Sequence, residues 1–389
     1  MTTAFIGDFR INGLMASSIN SLARPGQLAV SLLLSLVLAA ESFADEATGV
    51  GANGIALATS PSFVATGGEA VTMENVVRAE TAKYFAEETI KTGPNKFRHE
   101  RNGIQLENQT VIRSNFDLIY SYAVFDASEG VEITVPDYDL YHSVQVFDEN
   151  HVTLDVVYPG QTRKITHDQL TYGDHVYLFM RTQPPSTDEA GMKKLRERQD
   201  SVITKAGSAK PYVSEVKYDV DSFNALRNEL IKRAPKEVVI YKGFIESLDD
   251  IVSPHYQMSN LAGWGGLPSR HAYYFVVAPA DGGASEGKPS SLTFNPPPLQ
   301  TDRAGYWSLT VYDADGWVKT TPFKISSLEA DPNPDGSYTL NFNGPDGSVN
   351  NLHVPANWNA LFRCYLPESL QAILAFQKDI DENHRVESE

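Results

Sequence analysis

Between His99 and Tyr120 the chain crowds together side chains that can do chemistry. They run Phe97-Arg98-His99-Glu100-Arg101, then Val111-Ile112-Arg113-Ser114-Asn115-Phe116-Asp117-Leu118-Ile119-Tyr120. Arg113 offers an anion clamp, Asn115 an amide, Asp117 a carboxylate and Tyr120 a phenol, a set suited to one polar ligand. If the ligand is turned over, Asp117 or His99 is the candidate catalytic base, and hydrolysis is the simplest reaction they would serve. Tyr312, far along the chain, is a candidate fifth contact, and Trp307 is a weaker one that alternation places in a core. The bland account is equally physical. Polar groups just ahead of an apolar strand often cap its entrance and satisfy its backbone.

Other constellations are weaker. Asp331-Pro-Asn333-Pro-Asp335-Gly336 imitates the start of a calcium loop, but Phe342 stands where the bidentate glutamate belongs, so a turn is expected. His142, His151, His167 and His175 form no closely spaced ligand pair, and no metal site is assigned to them. Cys364 is the only cysteine. It excludes an intrachain disulfide and any multi-thiolate centre, and within Phe362-Arg-Cys-Tyr365 it reads as a small buried hydrophobe. The chain has no nucleophile elbow, phosphate loop or dinucleotide fingerprint. No cofactor is assigned.

The elements that must hold these residues are mostly strands. Val71–Thr92 has helical character and stops at Gly93-Pro94. Leu118–Phe125 is apolar on both faces, as in a strand buried on both sides. Val131, Ile133 and Val135 alternate with polar residues. Val144 and Val146, then 152–158, 162–166 and 175–181, follow at short intervals, with Val176, Leu178 and Met180 on one face. Residues 186–206 and Ser222–Arg233 form a helical interlude, the latter with Phe223, Leu226, Leu230 and Ile231 inward and Pro235 as its end. Strands resume at 272–278, 306–312, 317–325, 338–342 and 361–365. In the second of these Trp307, Leu309 and Val311 face one way, with Tyr306, Ser308, Thr310 and Tyr312 the other. Asp315-Gly316 and Asp335-Gly336 read as hairpin turns.

Composition bounds the partners. The chain has 389 residues, 42% hydrophobic, with 32 Lys+Arg against 49 Asp+Glu for a formal charge of −17. An acidic surface of this kind argues against nucleic acid or an anionic membrane as partner. Leu28–Ala40 is an uncharged apolar run behind Arg24, too short for a spanning helix of about 20 residues. It fits the core of a secretory signal, with cleavage expected after Ala44 and Met1 or Met15 as the start. An uncleaved anchor or a buried helix is the alternative. The mature protein is therefore expected to be periplasmic or secreted, with no membrane partner once the signal is removed.

Two motif series are familiar. The first is Asn95, His99, Thr110-Val-Ile-Arg-Ser-Asn115-Phe-Asp117-Leu-Ile-Tyr120-Ser121, Asp126 and Thr134-Val-Pro136-Asp137. It resembles the domain of unknown function numbered 1254. The second is Gly266-Leu-Pro268, His271-Ala-Tyr273, Gly305-Tyr-Trp307-Ser-Leu-Thr-Val-Tyr312-Asp313 and Asp335-Gly-Ser337. It resembles the usual C-terminal companion of that domain, numbered 1214. Together they cover most of residues 95–375. The resemblance implies two jelly-roll-like sandwiches in tandem, similar in architecture to double-jelly-roll capsid proteins, and implies no reaction.

The resulting expectation is a mainly β protein, two tandem jelly-roll-like β-sandwiches with a short helical linker region. Residues 1–44 are the signal and 45–94 a lead-in with a helix. The first sandwich spans 95–185, a helical and mixed connector 186–262, the second sandwich 263–376 and a charged tail 377–389. The function expected is binding or hydrolysis of a small polar or carbohydrate-like ligand at the junction of the two sandwiches. The alternative is a non-catalytic structural or assembly protein, a homo-oligomer of double-jelly-roll type.

Overall fold

The computed structural model describes residues 63–388 except 105, 110–112, 280–287 and 384–385. The apolar segment and its cleavage site lie outside the described residues. A short strand β1 (Val64–Ala65) precedes α1 (Val76–Thr92), whose buried face includes Val76, Val77, Ala79 and Phe85. Gly93, at φ 76°, ends it, a conformation that costs glycine little.

The first β unit contains β2 (Arg98–His99), β3 (Ile119–Asp126), β4 (Val131–Val135), β5 (His142–Phe147), β6 (Thr153–Val157), β7 (Gln161–Ile165) and β8 (His175–Thr182). After α2 (Glu189–Asp200) comes β9 (Ile203–Ala206). This strand lies within the stretch expected to be helical. Its backbone pairs with β4, from Val131 with Ala206 to Thr134 with Ile203, so the sheet continues past residue 185. Two sheets result, in the orders β2-β3-β8-β5-β6 and β7-β4-β9. Their facing apolar rows, among them Phe125, Val131, Ile133, Val144, Val146, Val176, Leu178 and Met180, make one core. The alternation read in the sequence is the alternation that packs.

The connector holds β10 (Tyr218–Asp219), which pairs in parallel with β1, then α3 (Val220–Glu237) and α4 (His255–Ala262). Phe223 and Leu230 of α3 are buried, with Leu226 and Ile231 partly so. The helix runs through Pro235 to Glu237 rather than ending at it. In the last turn the proline removes a single backbone donor, a loss that a helix end tolerates better than its middle. With α1, these helices cover the outer face of the first unit's larger sheet.

The second unit contains β11 (Ala272–Val277), β12 (Ser290–Phe294), β13 (Trp307–Tyr312), β14 (Lys324–Ser326), β15 (Tyr338–Phe342), β16 (Asn351–Leu352) and β17 (Asn359–Tyr365), then α5 (Leu370–Asn383) and β18 (Glu387–Ser388). Its sheets run β11-β17-β13-β14 and β16-β15-β12-β18. The strand expected over 317–325 shortens to β14, because Pro322 has no N–H to give a ladder. Trp307, Leu309, Val311, Phe362 and Cys364 lie in the core, closed by Ile373, Phe376 and Ile380 of α5. That helix crosses the boundary expected at 377.

The two units repeat one connectivity. The order β3-β8-β5-β6 corresponds to β11-β17-β13-β14, and β7-β4-β9 to β15-β12-β18. In each, a helix (α2 or α5) leads to a last strand, β9 or β18, that joins β4 or β12. The repeat is marked in the amino-acid sequence only by scattered residues, such as Tyr141-His-Ser143 and Tyr306-Trp-Ser308. It is a repeat of hydrogen-bonding order, and order depends on long-range pairing.

Candidate functional site

The units meet through the polar faces of β3-β8-β5 and β11-β17-β13. Register aligns Tyr120, Arg181 and Ser143 in one row across the first sheet. In the second it aligns Tyr274, Arg363 and Ser308. The rows match by type and by place: tyrosine on β3 or β11, arginine on β8 or β17, serine on β5 or β13. Both arginines and both serines are buried, and both tyrosines keep some exposure. Two residues before each serine stands another tyrosine, Tyr141 and Tyr306, both buried.

Each arginine reaches into the other unit. Arg181 donates to the Gly265 carbonyl, in the loop leading to β11, and to Gln145 Oε1 at 3.0 Å. Arg363 donates to the Arg113 carbonyl at 3.1 Å, in the loop leading to β3, and to Tyr312 Oη at 2.7 Å and Thr310 Oγ1 at 2.9 Å. The loops answer in kind. Asp117 Oδ1 lies 3.3 Å from Lys324 Nζ on β14. His271, at the place in the second unit that Asp117 holds in the first, bonds Tyr158 Oη through Nδ1 at 2.8 Å. Burial opposes the charge of both cations. Tyr312, Tyr365 and Asp117 nevertheless raise the pKa of Arg363, and Asp117 with Glu329 raises that of Lys324.

Most of the residues anticipated as a ligand clamp are spent on this contact. Arg113, at φ 53°, donates to Asn359 Oδ1, and its backbone N–H to the Gly316 carbonyl at 2.8 Å. Asn115 donates to Tyr365 Oη at 2.7 Å while its Oδ1 accepts from the Asp117 N–H at 2.8 Å, an Asx turn. Tyr312 donates to the Ser114 carbonyl at 2.7 Å. Gln109 adds a two-way bond to the Val318 backbone, 2.9 Å each way. Arg113, Asn115, Asp117, Tyr120 and Tyr312 are thus brought to one interface, where all but Tyr120 join the units through hydrogen bonds or an ion pair.

His99 is not brought there. It pairs across the ladder with Ser121, one residue beyond Tyr120, so its side chain lies on the opposite face of the sheet. Its Nδ1 is 2.8 Å from Ser121 Oγ, and burial with Arg101 pushes its pKa down to about 4. His99 and Asp117 therefore cannot serve one reacting centre. Trp307 is core, and Cys364 is buried with its thiol pushed up by burial. At the calcium-like stretch, Asp335 Oδ1 accepts from Ser337 N–H and Oγ, as a turn does.

What remains unspent is specific. Tyr141 Oη, Ser143 Oγ, Tyr306 Oη, Ser308 Oγ and Asp117 Oδ2 are buried without a protein hydrogen bond of ordinary length. The rings of Tyr141 and Tyr306 are 5.6 Å apart, and Tyr365 stacks on Tyr306 at 4.6 Å. The Tyr141 hydroxyl has only weak, long contacts with the hydroxyls of Ser143 and Tyr158, and Asp117 acts electrostatically on Tyr306. Burial holds both phenols above their ordinary pKa, so they are protonated donors. Sequence reasoning missed Tyr141, Ser143, Arg181, Tyr274, Ser308 and Arg363. A signal existed: Tyr141-His-Ser143 echoes Tyr306-Trp-Ser308, and one arginine interrupts each of the apolar runs Leu178–Arg181 and Leu361–Arg363.

Residues 94–172 match the model of the protein of unknown function family DUF1254, and 271–369 that of DUF1214. No curated protein matches the chain. The crystal structure of the VPA0106 protein from Vibrio parahaemolyticus is similar at 15% identity and a TM-score of 0.59, covering 82% of this chain and 97% of that one. At that identity the likeness concerns the fold alone. A putative uncharacterized protein from Burkholderia cenocepacia aligns at 12% identity and a TM-score of 0.42, over 89% and 96% of the two chains.

Proposed function

We propose that this chain, with its DUF1254 region followed by a DUF1214 region, is an exported binding protein built as two tandem jelly-roll-like sandwiches. Its ligand is a small polar molecule held in the layer between them. One observation carries the reading: five buried polar atoms within one interface, from Tyr141, Ser143, Tyr306, Ser308 and Asp117, make no protein hydrogen bond of ordinary length. A native protein leaves few such groups, and each costs about 1–3 kcal/mol. Clustering them beside the rings of Tyr141, Tyr306 and Tyr365 is what a polar site requires. Tyr120 and Tyr274, partly exposed, mark its rim. Binding fits better than hydrolysis, since the groups around Asp117 are cations and phenols and His99 is beyond reach. Export rests on the apolar run Leu28–Ala40.

Native mass spectrometry of the mature protein from its exported fraction tests this. A stoichiometric small molecule, lost in a Tyr141→Phe/Tyr306→Phe variant, supports it. A bare chain that the same variant only stabilises overturns it, and favours the second reading, a non-catalytic structural protein. That reading draws on the number of interface groups already committed to joining the units. No helix among the described residues is long and apolar enough to cross a membrane.

A further inference from the structure

We infer that the ligand of the interface is a small organic anion, a carboxylate bearing at least one hydroxyl. The inference rests on the binding reading and adds its charge. Arg181 and Arg363 are both buried, and every hydrogen bond they make is to a neutral acceptor: Gln145, Gly265 and Phe179 for one, Thr310, Tyr312, Arg113 and Ser114 for the other. Neither has an ion-pair partner among the described residues. The carboxylate acting on Arg363 is Asp117, and Asp117 already stands 3.3 Å from Lys324.

A buried positive charge without its counterion is costly in a medium of low polarisability. Neutral acceptors lower that cost without cancelling the field. The field of Arg181 falls on one of the orphaned groups, Tyr141, and both arginines act on Tyr120 and Tyr274 at the rim. Four of the orphans are hydroxyls able to donate, from two tyrosines and two serines. Donors set in a positive field are the complement of a carboxylate. The fifth orphan, Asp117 Oδ2, can only accept while ionised, and so asks for a hydroxyl on the same molecule.

The test is calorimetric titration of the full chain with lactate and glucuronate, each against an uncharged counterpart, glycerol and glucose. The expected result is saturable binding of the carboxylates, with the neutral probes at least roughly tenfold weaker. Tyr141→Phe/Tyr306→Phe should lose a similar factor for the carboxylates while keeping its fold. Arg181→Gln should do the same, and the tyrosine pair decides the matter if that arginine variant does not fold. Binding of glycerol or glucose without preference for the acids overturns the anion and leaves the polar-ligand reading standing. Failure of all four probes overturns both. Carboxylate binding indifferent to the tyrosine pair places the anion elsewhere and overturns the inference.

Discussion

Arg181 and Arg363 hold equivalent places in two sheets of like connectivity, and each donates to a backbone carbonyl of the loop that opens the other unit. The bond is reciprocal: the first unit's arginine fixes the entrance to β11, and the second unit's arginine fixes the entrance to β3. Tyr120 and Ser143 flank one, Tyr274 and Ser308 the other. The interface is therefore built from one row used twice.

Replacing either arginine by methionine should destabilise the protein by about 2–4 kcal/mol, because carbonyls it satisfied stay buried. Urea denaturation of Arg181→Met, Arg363→Met and the double variant checks this. Two separate transitions in the double variant would show that the arginines couple the units. A loss under about 1 kcal/mol for both single variants would remove them from the clasp.

Asn115→Ala should cost about 1–2 kcal/mol, since it removes both the Asx turn to Asp117 and the bond to Tyr365. Asn115→Asp retains the turn acceptor and should recover part of that loss. Equal stability of the two variants would show that the turn contributes nothing.

Gly265 stands at φ 82°, and a Cβ there would run into the edge of the Phe179 ring at Cε1 and Cδ1. Gly265→Ala combines backbone strain with a clash and should cost about 2–4 kcal/mol. Adding Phe179→Leu ought to recover the steric share but not the backbone share. A thermal melt of Gly265→Ala coinciding with the parent would contradict this account.

Stability should fall on both sides of mildly acidic pH. Burial raises the Glu149 carboxyl to about 8 despite its bond from Tyr212. Between its unfolded value near 4.5 and that pH, the folded protein holds the extra proton, so stability declines as pH rises through the window. On the acid side burial depresses His99 to about 4 and His151 to about 3. The unfolded chain then takes the extra protons, and stability is lost as pH falls below about 6.5. Urea midpoints from about pH 4 to 9 would trace the profile, with Glu149→Gln flattening the alkaline limb. An alkaline limb of the same slope in the parent and in Glu149→Gln would exclude Glu149 as its source.

Much of the scaffold was legible because periodicity is local. Alternation in 131–135, 175–181 and 306–312 assigned Val131, Val176, Leu178, Trp307 and Leu309 to cores, and those are where they pack. Both family resemblances rested on short local motifs and matched in order. The strand at 203–206 and the persistence of α3 through Pro235 escaped, since a partner strand and the packing of a helix face lie outside any local window.

The site divides along the same line. The sequence alone established that Tyr306, Ser308, Thr310 and Tyr312 share a face, and that Arg113, Asn115, Asp117 and Tyr120 stand before or within an apolar strand. It did not establish what those faces meet. Pairing His99 with Ser121 sends its ring away from Tyr120, a matter of one residue of register. Pairing Tyr120 with Arg181, and Tyr274 with Arg363, gathers distant strands into matching rows. Side-chain alternation is a property of one strand and can be read along the chain. Which rows oppose each other depends on how two sheets pair and dock, and only the tertiary structure decides that.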